Sequence, residues 1–432
     1  MIFHIDGNSF YAACERVFRP DLAGSPIAVL SNNDGIVVAL NAECKKLGFK
    51  RGDVFFEVKQ KFKERGVVVF SSNYTLYADM SARMNLIYCQ FTPDVEVYSI
   101  DESFLFFQDM DADYSAIAAE VKAAVTRDTG IPVSIGVAPN KTLAKMCNKL
   151  AKKRGGVFDW QKLDQSGQDE ELERFPVEDV WGIGWSKASL LKKQGITTAL
   201  ALKNYPLLKA KKFLTVTGYR TVQELNGISA IDKIEEKPRQ VIMVSRSFQS
   251  AVYELDDIIT ALSEYTQEAV GRMRDEGLSC KYVSVYLMTN AYAKGDQYFN
   301  SLSAELPYLS AYLPEIQSVA NELVKRIFRP DYKYRKVMIG LTGLAFDNCR
   351  QFDLFDTSYN RKKLNEPLMR TFDTINNRYG RGTIKLACGL GKKPQNESEE
   401  IQAESKAAPW ELRREYLSPR YTTNIKEIPV VK

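Results

Sequence analysis

Three carboxylates carry the strongest chemical signal in the chain. Asp6 closes the opening run MIFHID, and Asp101 and Glu102 lie within VEVYSIDESFLFF. Val95, Val97 and Ile100 precede the acidic pair, and Phe104, Leu105, Phe106 and Phe107 follow it. This pattern predicts two hydrophobic strands around a tight turn that carries two acids. Acids placed between buried strands need a counter-charge. If the strand ending at Asp6 lies beside this hairpin, hard oxygen donors meet at one end of a sheet. Such a set suits Mg²⁺, which binds through one or two carboxylates plus substrate phosphates. Two ions of this kind can clamp the attacking and leaving oxygens of a phosphoryl transfer. Taken alone, the acidic pair leaves a second reading open, a solvated Asp-Glu turn.

Other chemistries are excluded by composition. His4 is the only histidine among 432 residues and sits within a predicted strand, which nearly excludes a Ser-His-Asp triad and an HExxH zinc site, and His4 itself reads as a packing residue. The seven cysteines (14, 44, 89, 147, 280, 349 and 388) show no CxxC spacing and read as free thiols of a reducing cytoplasm rather than a zinc site. A net charge of +5 is compatible with nucleic acid but does not establish it, since clustering on one face decides. No secretory signal is expected from an opening that runs straight into polar residues, and no apolar run reaches the length of a membrane span.

At this length several domains are expected. After the first strand, PIAVL, the loop NNDG and a short helix at 42–47 fill the stretch to Ser72. Helices at 76–88 and 114–129, the acidic hairpin, the strand VSIGVA and the basic helix KTLAKMCNKLAKK follow. This mixture predicts an α+β domain, with helices against an antiparallel, ferredoxin-like sheet. Short helices are expected over 165–230, and IEEKPRQ reads as a polar linker. QVIMVSRSF, a helix at 258–274, CKYVSVYLMT, a helix at 314–327 and VMIGLTGLAF then repeat a β-α-β-β-α-β order. The stretch after Phe346 is less regular, with a polar segment at 392–408 and an aromatic, basic one beyond it.

The segment DGNSFYAACE, with Ser99-Ile100-Asp101-Glu102, resembles the Y-family translesion DNA polymerases, more narrowly their UmuC-type branch. In that family a carboxylate ends the opening palm strand and an aromatic steric gate follows five residues later, the spacing of Asp6 and Tyr11. The resemblance extends along the chain to GRGT (380–383) and LSPRYTTN (417–424), which are similar to the UmuC-type tail rather than to the shorter DinB-type branch. It implies a right-hand polymerase, with a palm over 1–10 and 73–164 and small fingers over 11–72. A thumb with a helix-hairpin-helix is implied over 165–230, a linker over 231–240 and a little finger over 241–346. The remaining 347–432 forms the tail.

The resemblance also assigns roles. Asp6, Asp101 and Glu102 are the implied catalytic acids holding two Mg²⁺ ions, with the Gly7 carbonyl completing one site. Asn8, Phe10, Tyr11, Lys45 and Lys152 are implied at the nucleotide. Tyr11 would exclude a ribose 2′-OH with Phe10 packed behind it, although two core aromatics are the alternative reading. Where the family usually has a Tyr-x-x-Arg pair on the triphosphate, this chain has Ala42 and Lys45, and lysine lacks arginine's bidentate fork. Ile36 and Val38 are implied above the templating base. Gly182 and Gly184, in WGIGWSKASLLKKQGI, open a helix expected to end at Gly195, and their exposed N–H groups suit a DNA phosphate. QFDLF is similar to a clamp-binding peptide, anchored by Gln351, Leu354 and Phe355. Sliding clamp, UmuD-type dimer and RecA are the implied protein partners, and damaged primer-template and dNTPs the implied substrates. A nucleotidyl cyclase and a DNA-binding scaffold of reduced activity are the rival readings.

Overall fold

The computed structural model describes residues 1–108, 112–234, 238–346, 358–380, 382–390, 410 and 412–429. They fall into two compact units, one formed by 1–235 with 414–432, the other by 236–413. Gln351, Leu354 and Phe355 lie outside the described residues, as does the polar segment 392–408. Among the described residues no helix is long and apolar enough to cross a membrane.

Unit 1 opens with β1 (Ile2–Gly7), which turns through Asn8 and Ser9 into α1 (Phe10–Val17). β2 (Ile27–Leu30), β3 (Val37–Leu40), α2 (Ala42–Lys46), α3 (Phe55–Glu64) and β4 (Val68–Ser71) form a small layer with strand order β3-β2-β4. Then come α4 (Tyr74–Tyr88), β5 (Val95–Val97), β6 (Glu102–Phe106), α5 (Tyr114–Thr129), β7 (Val133–Ala138), α6 (Lys141–Ala151) and β8 (Val157–Asp159). Their sheet runs β5-β6-β1-β7-β8. Neighbours are antiparallel except β8, which joins β7 in parallel.

β1 lies at the centre because Ile2 to Ile5 is buried along its whole length. Strand alternation sends Phe3 and Ile5 into a core with residues of α4 and α5, and Ile2 into another with residues of α6. α6 lies almost directly on β7. A Cβ on Gly136 would stand 2.2 Å from the Ala144 carbonyl and the Asn148 N–H, so only glycine permits this approach. Asn148 Nδ2 reinforces it by donating to the carbonyls of His4 (3.0 Å) and Ser134 (2.6 Å).

The short helices α7 (Gln165–Arg174), α8 (Trp185–Lys192), α9 (Ala199–Lys203), α10 (Leu207–Phe213) and α11 (Thr215–Leu225) complete this stretch. α8 stops at Lys192, short of the expected Gly195, which turns the chain in the left-handed region at φ +80°. The first part of the expected linker is not free. Lys141 Nζ, buried against Glu96 (2.7 Å), also donates to the Asp232 carbonyl (2.8 Å), and Ile234 N donates to Glu96 (3.0 Å).

Unit 2 comprises β9 (Val241–Val252), α12 (Leu255–Asp275), β10 (Leu278–Thr289), β11 (Phe299–Ser310), α13 (Leu313–Ile327), β12 (Tyr334–Thr342), β13 (Ala345–Phe346) and α14 (Ser358–Tyr379). Its element order repeats the β-α-β-β-α-β of unit 1, but its sheet runs β11-β10-β12-β9, with the first strand at an edge. α14 corrects the expectation of irregular chain after Phe346. Its polar sequence and internal Pro367 hide a 22-residue helix, held by burial of Met369 and Phe372 and by the Arg274–Asp373 ion pair. The C-terminal stretch from Arg414 returns to unit 1.

Candidate active site

The strand register brings the acids together. Asp6, at the end of β1, is the Cα partner of Glu102, the first residue of β6, and Gly7 N donates to the Asp101 carbonyl (2.9 Å). Glu102 therefore starts the strand instead of lying in the turn, and Asp101 is the last turn residue. Ser99 shapes the turn: its hydroxyl donates to Asp101 Oδ1 (2.7 Å) and accepts from Glu102 N (3.1 Å).

Two lysines, one in α6 and one at its C-cap, supply the counter-charge. Lys145 Nζ lies 2.7 Å from Glu102 Oε2, and Lys152 Nζ lies 2.7 Å from Asp6 Oδ1. Lys145 is also boxed by the rings of Tyr98 (4.1 Å), Trp181 (5.3 Å) and Phe104 (5.9 Å). Sequence reading had assigned Lys152 and missed Lys145. The signal was there, because seven residues are two helical turns and place both on one face of α6.

The electrostatics split the acids. Burial pushes the Asp6 carboxyl up to about 6 against the pull of Lys152, with Glu102 and Asp101 adding to the rise. Burial also works to raise Glu102, but the Lys145 ammonium bonded to it prevails and holds it down to about 2. His4, packed on Phe104 with ring centroids 4.9 Å apart, stands 3.8 Å from Glu102. Its burial pushes the imidazole down to about 4, so the ring is neutral at pH 7. It packs, as expected, but against the site.

This donor set fits a hard divalent cation. Asp6 is short of positive charge even with Lys152 on it, which a cation would relieve. Among the described residues, however, no three acids close on a common point. The backbone gathers the carboxylates, while their side chains point to the two lysines and to Ser99.

Tyr11 opens α1 beside the acids. Its ring stacks on Tyr77 (centroids 4.4 Å, interplanar 15°) and meets Tyr74 edge-on (5.9 Å). Phe10 is buried behind it, and a Cβ on Gly7 would stand 3.1 Å from the Phe10 ring. Ser9, between them, holds a left-handed φ of 49°. A non-glycine residue in this region costs energy and is most often found where function sets the geometry. Asn8 accepts from Ser134 Oγ (3.0 Å), and Lys45 Nζ, on exposed α2, reaches Ser9 Oγ at 3.4 Å. Ile36 is 45% exposed, whereas Val38 is partly buried against the core. Gly182 needs glycine, since at φ +88° a Cβ would stand 2.5 Å from Thr221 Oγ1. Gly184, the residue before α8, faces open space.

A fourth acid, Glu15, went unnoticed in the sequence. It is fully buried one turn beyond Tyr11, and its Oε1 accepts from the Tyr77 hydroxyl (2.7 Å). Burial pushes its carboxyl up to about 7 from 4.5, against the hydroxyls of Tyr77 and Ser418. Between these two pH values the folded chain keeps a proton that the unfolded chain has released, so stability falls as the pH rises through the window. Glu15→Gln keeps an acceptor for Tyr77 without the charge. Thermal unfolding at pH 5 and pH 8 should show the wild type losing on the order of 2 kcal/mol that the variant retains. Equal losses in both proteins would place the proton elsewhere.

Residues 5–149 match the impB/mucB/samB family, residues 239–354 match that family's C-terminal domain, and residues 366–431 match a domain of unknown function, DUF4113. The chain is 37% identical over 435 residues to protein UmuC of Salmonella typhimurium (strain LT2), covering 99% of both chains. It is 28% identical over 407 residues to DNA polymerase IV of Bacillus velezensis (strain FZB42), covering 91% of this chain and 94% of that one. A Y-family DNA polymerase chimera of Dbh and Dpo4 shares the fold with a TM-score of 0.66 at 20% identity, over 80% of this chain and 99% of the chimera. Full-length identity at this level makes the chain a member of the impB/mucB/samB family, a Y-family DNA polymerase of the UmuC type.

Proposed function

We propose that the site adds dNTPs to a primer 3′-OH opposite damaged template, with Asp6, Asp101 and Glu102 holding two Mg²⁺ ions. The observation that carries this reading is the register of β1 on β6, which places Asp6 opposite Glu102 with Asp101 tied to Gly7. When bound, divalent cations supply the charge neutralisation and the activation of the attacking hydroxyl that phosphoryl transfer needs. The chain's own part is positioning. Lys152 balances Asp6 until a triphosphate arrives, and it can then serve a phosphate oxygen because Asp6 no longer depends on it. Lys145, boxed by three rings, stays on Glu102 and keeps that carboxylate ionised. Tyr11 presents its ring to the sugar, Gly182 and Gly184 offer N–H groups to the DNA backbone, and the half-exposed Ile36 with Val38 leaves room above the templating base. The palm, fingers, thumb and little finger correspond in this reading to 1–10 with 73–164, 11–72, 165–230 and 241–346. A sliding clamp, a UmuD-type dimer and RecA are the protein partners of the same reading.

Primer extension by the purified protein on an abasic template tests the proposal, and failure to extend with dNTPs and Mg²⁺ on any template would leave the scaffold reading. Lys45 gives a finer test. An exposed lysine that reaches Ser9 at the entrance to α1 can meet a triphosphate with one point charge. Lys45→Ala should raise the KM for dNTPs by about five- to tenfold with kcat little changed, and Lys45→Arg should keep or lower it. Unchanged steady-state constants in the alanine variant would return Lys45 to the solvated surface.

A further inference from the structure

The stretch from Arg414 onward matches a domain of unknown function, yet it packs on the start of α4, the end of α1 and the β3-β2-β4 layer. Its first anchor is the start of α4. Asn73 caps that helix by accepting from Leu76 N (3.3 Å), and its Nδ2 donates to Ser418 Oγ (3.0 Å), to the Ser418 carbonyl (3.3 Å) and to the Pro419 carbonyl (3.2 Å). Tyr74 and Tyr77, the two rings against Tyr11, lie in the first turn of this helix.

The second anchor is α1. Tyr421 is buried and stacks on Phe18 with centroids 4.5 Å apart and planes 9° apart, just past the end of the helix that Tyr11 opens. Glu15, buried on the same helix, holds the Tyr77 hydroxyl. The third anchor is the small β3-β2-β4 layer. Ser71, at the end of β4, donates its N–H to the Tyr416 carbonyl (2.9 Å), and its hydroxyl accepts from Tyr416 N (3.0 Å). That hydroxyl donates in turn to the buried Asp34 (2.6 Å), whose other oxygen accepts from Glu415 N (2.8 Å).

These contacts join residues some 345 to 403 positions apart in the chain. A tail that merely trailed from the enzyme would show no such set of buried polar partners, since each must be desolvated to form. Among the described residues no hydrogen bond to the Tyr11 hydroxyl orients the ring. Its pose is set by the stack on Tyr77, whose place follows from Glu15 and from the α4 cap, and the capping Asn73 is held by Ser418.

We infer that the C-terminal stretch 414–429 is a positioning part of the nucleotide pocket, which sets sugar selection by holding Tyr77, and through it Tyr11, against the incoming nucleotide. This rests on the reading of Tyr11 as the sugar gate. Ser418, Tyr421 and Asn73 are positioning residues, for no hydrogen bond joins any of them to Asp6, Asp101 or Glu102 among the described residues.

The test is primer extension by the full-length chain with matched dNTP and rNTP, read as the ratio of the two kcat/KM values. A reduced folded fraction scales both values equally and leaves the ratio unchanged, so the ratio separates positioning from stability. Ser418→Ala and the double variant Ser418→Ala, Tyr421→Ala should raise the rNTP/dNTP ratio by about fivefold or more, as expected when a packed ring shifts by a fraction of an ångström. Tyr421→Phe, which keeps the stack on Phe18, should restore the ratio in the double variant's background to that of Ser418→Ala alone. Adding Tyr11→Ala should abolish any further effect of the tail variants, because the group they position is gone. If Tyr11→Ala raises the ratio while Ser418→Ala and the double variant stay at the wild-type value, the inference is overturned and the gate reading stands. If Tyr11→Ala itself leaves the ratio flat, the gate reading falls first.

Discussion

Asp101→Ala should lower primer extension by about 10²–10³-fold or more while primer-template binding stays within about twofold of wild type. Of the acids it gives the cleanest test. Its carboxylate takes a hydrogen bond from Ser99, and among the described residues no lysine pairs with it. Removal therefore strands no cation. Glu102→Ala would leave Lys145 inside its aromatic box without its anion, and Asp6→Ala would free Lys152, so a loss of activity in either could come from misplaced lysines. Single-turnover extension and a DNA-binding isotherm on the same preparation are the two measurements. Extension by Asp101→Ala at near wild-type rate would end the polymerase reading of this site.

Tyr11→Ala should raise the rNTP/dNTP efficiency ratio on the order of 10²-fold, with a smaller change in dNTP use. The wall behind Tyr11 is what gives the ring its effect. Tyr77 stacks flat on it and Tyr74 closes one edge, so the ring cannot swing aside to admit a 2′-OH. Stacking does not need the phenol, so Tyr11→Phe should keep most of the discrimination. A flat ratio in the alanine variant would make Tyr11 a packing residue and move the gate elsewhere.

Several features were legible because their causes are local. The acids lie at strand ends, and strands announce themselves by hydrophobic runs, so the approach of Asp6 to Glu102 followed once β1 was laid beside the hairpin. α6 showed its basic face through helical spacing, although its pairing of Lys145 with Glu102 and of Lys152 with Asp6 needed side-chain packing to appear. Glu15 could not be read, for nothing in FYAACERV marks one acid as buried; only Tyr77 and the returning tail enclose it. The helix Ser358–Tyr379 was missed for a related reason. Its sequence is polar and broken by Pro367, and its stability comes from burying Met369 and Phe372 on unit 2, which no local propensity reports.

By itself, the sequence determined the family and the element order: an acid closing the first strand, two more at the following hairpin, an aromatic residue five places after the first acid, and two successive β-α-β-β-α-β stretches. Tertiary structure alone decided how those stretches close. One sheet runs β5-β6-β1-β7-β8 with its first strand at the centre, the other β11-β10-β12-β9 with its first strand at the edge. Periodicity says which face of a strand is buried but not which strand lies beside it, because pairing is fixed by the fit of whole elements far apart in the chain. The same holds for the last residues. LSPRYTTN reads only as part of an aromatic, basic tail until Asn73 and Phe18, some 345 and 403 positions earlier, give Ser418 and Tyr421 a place to pack.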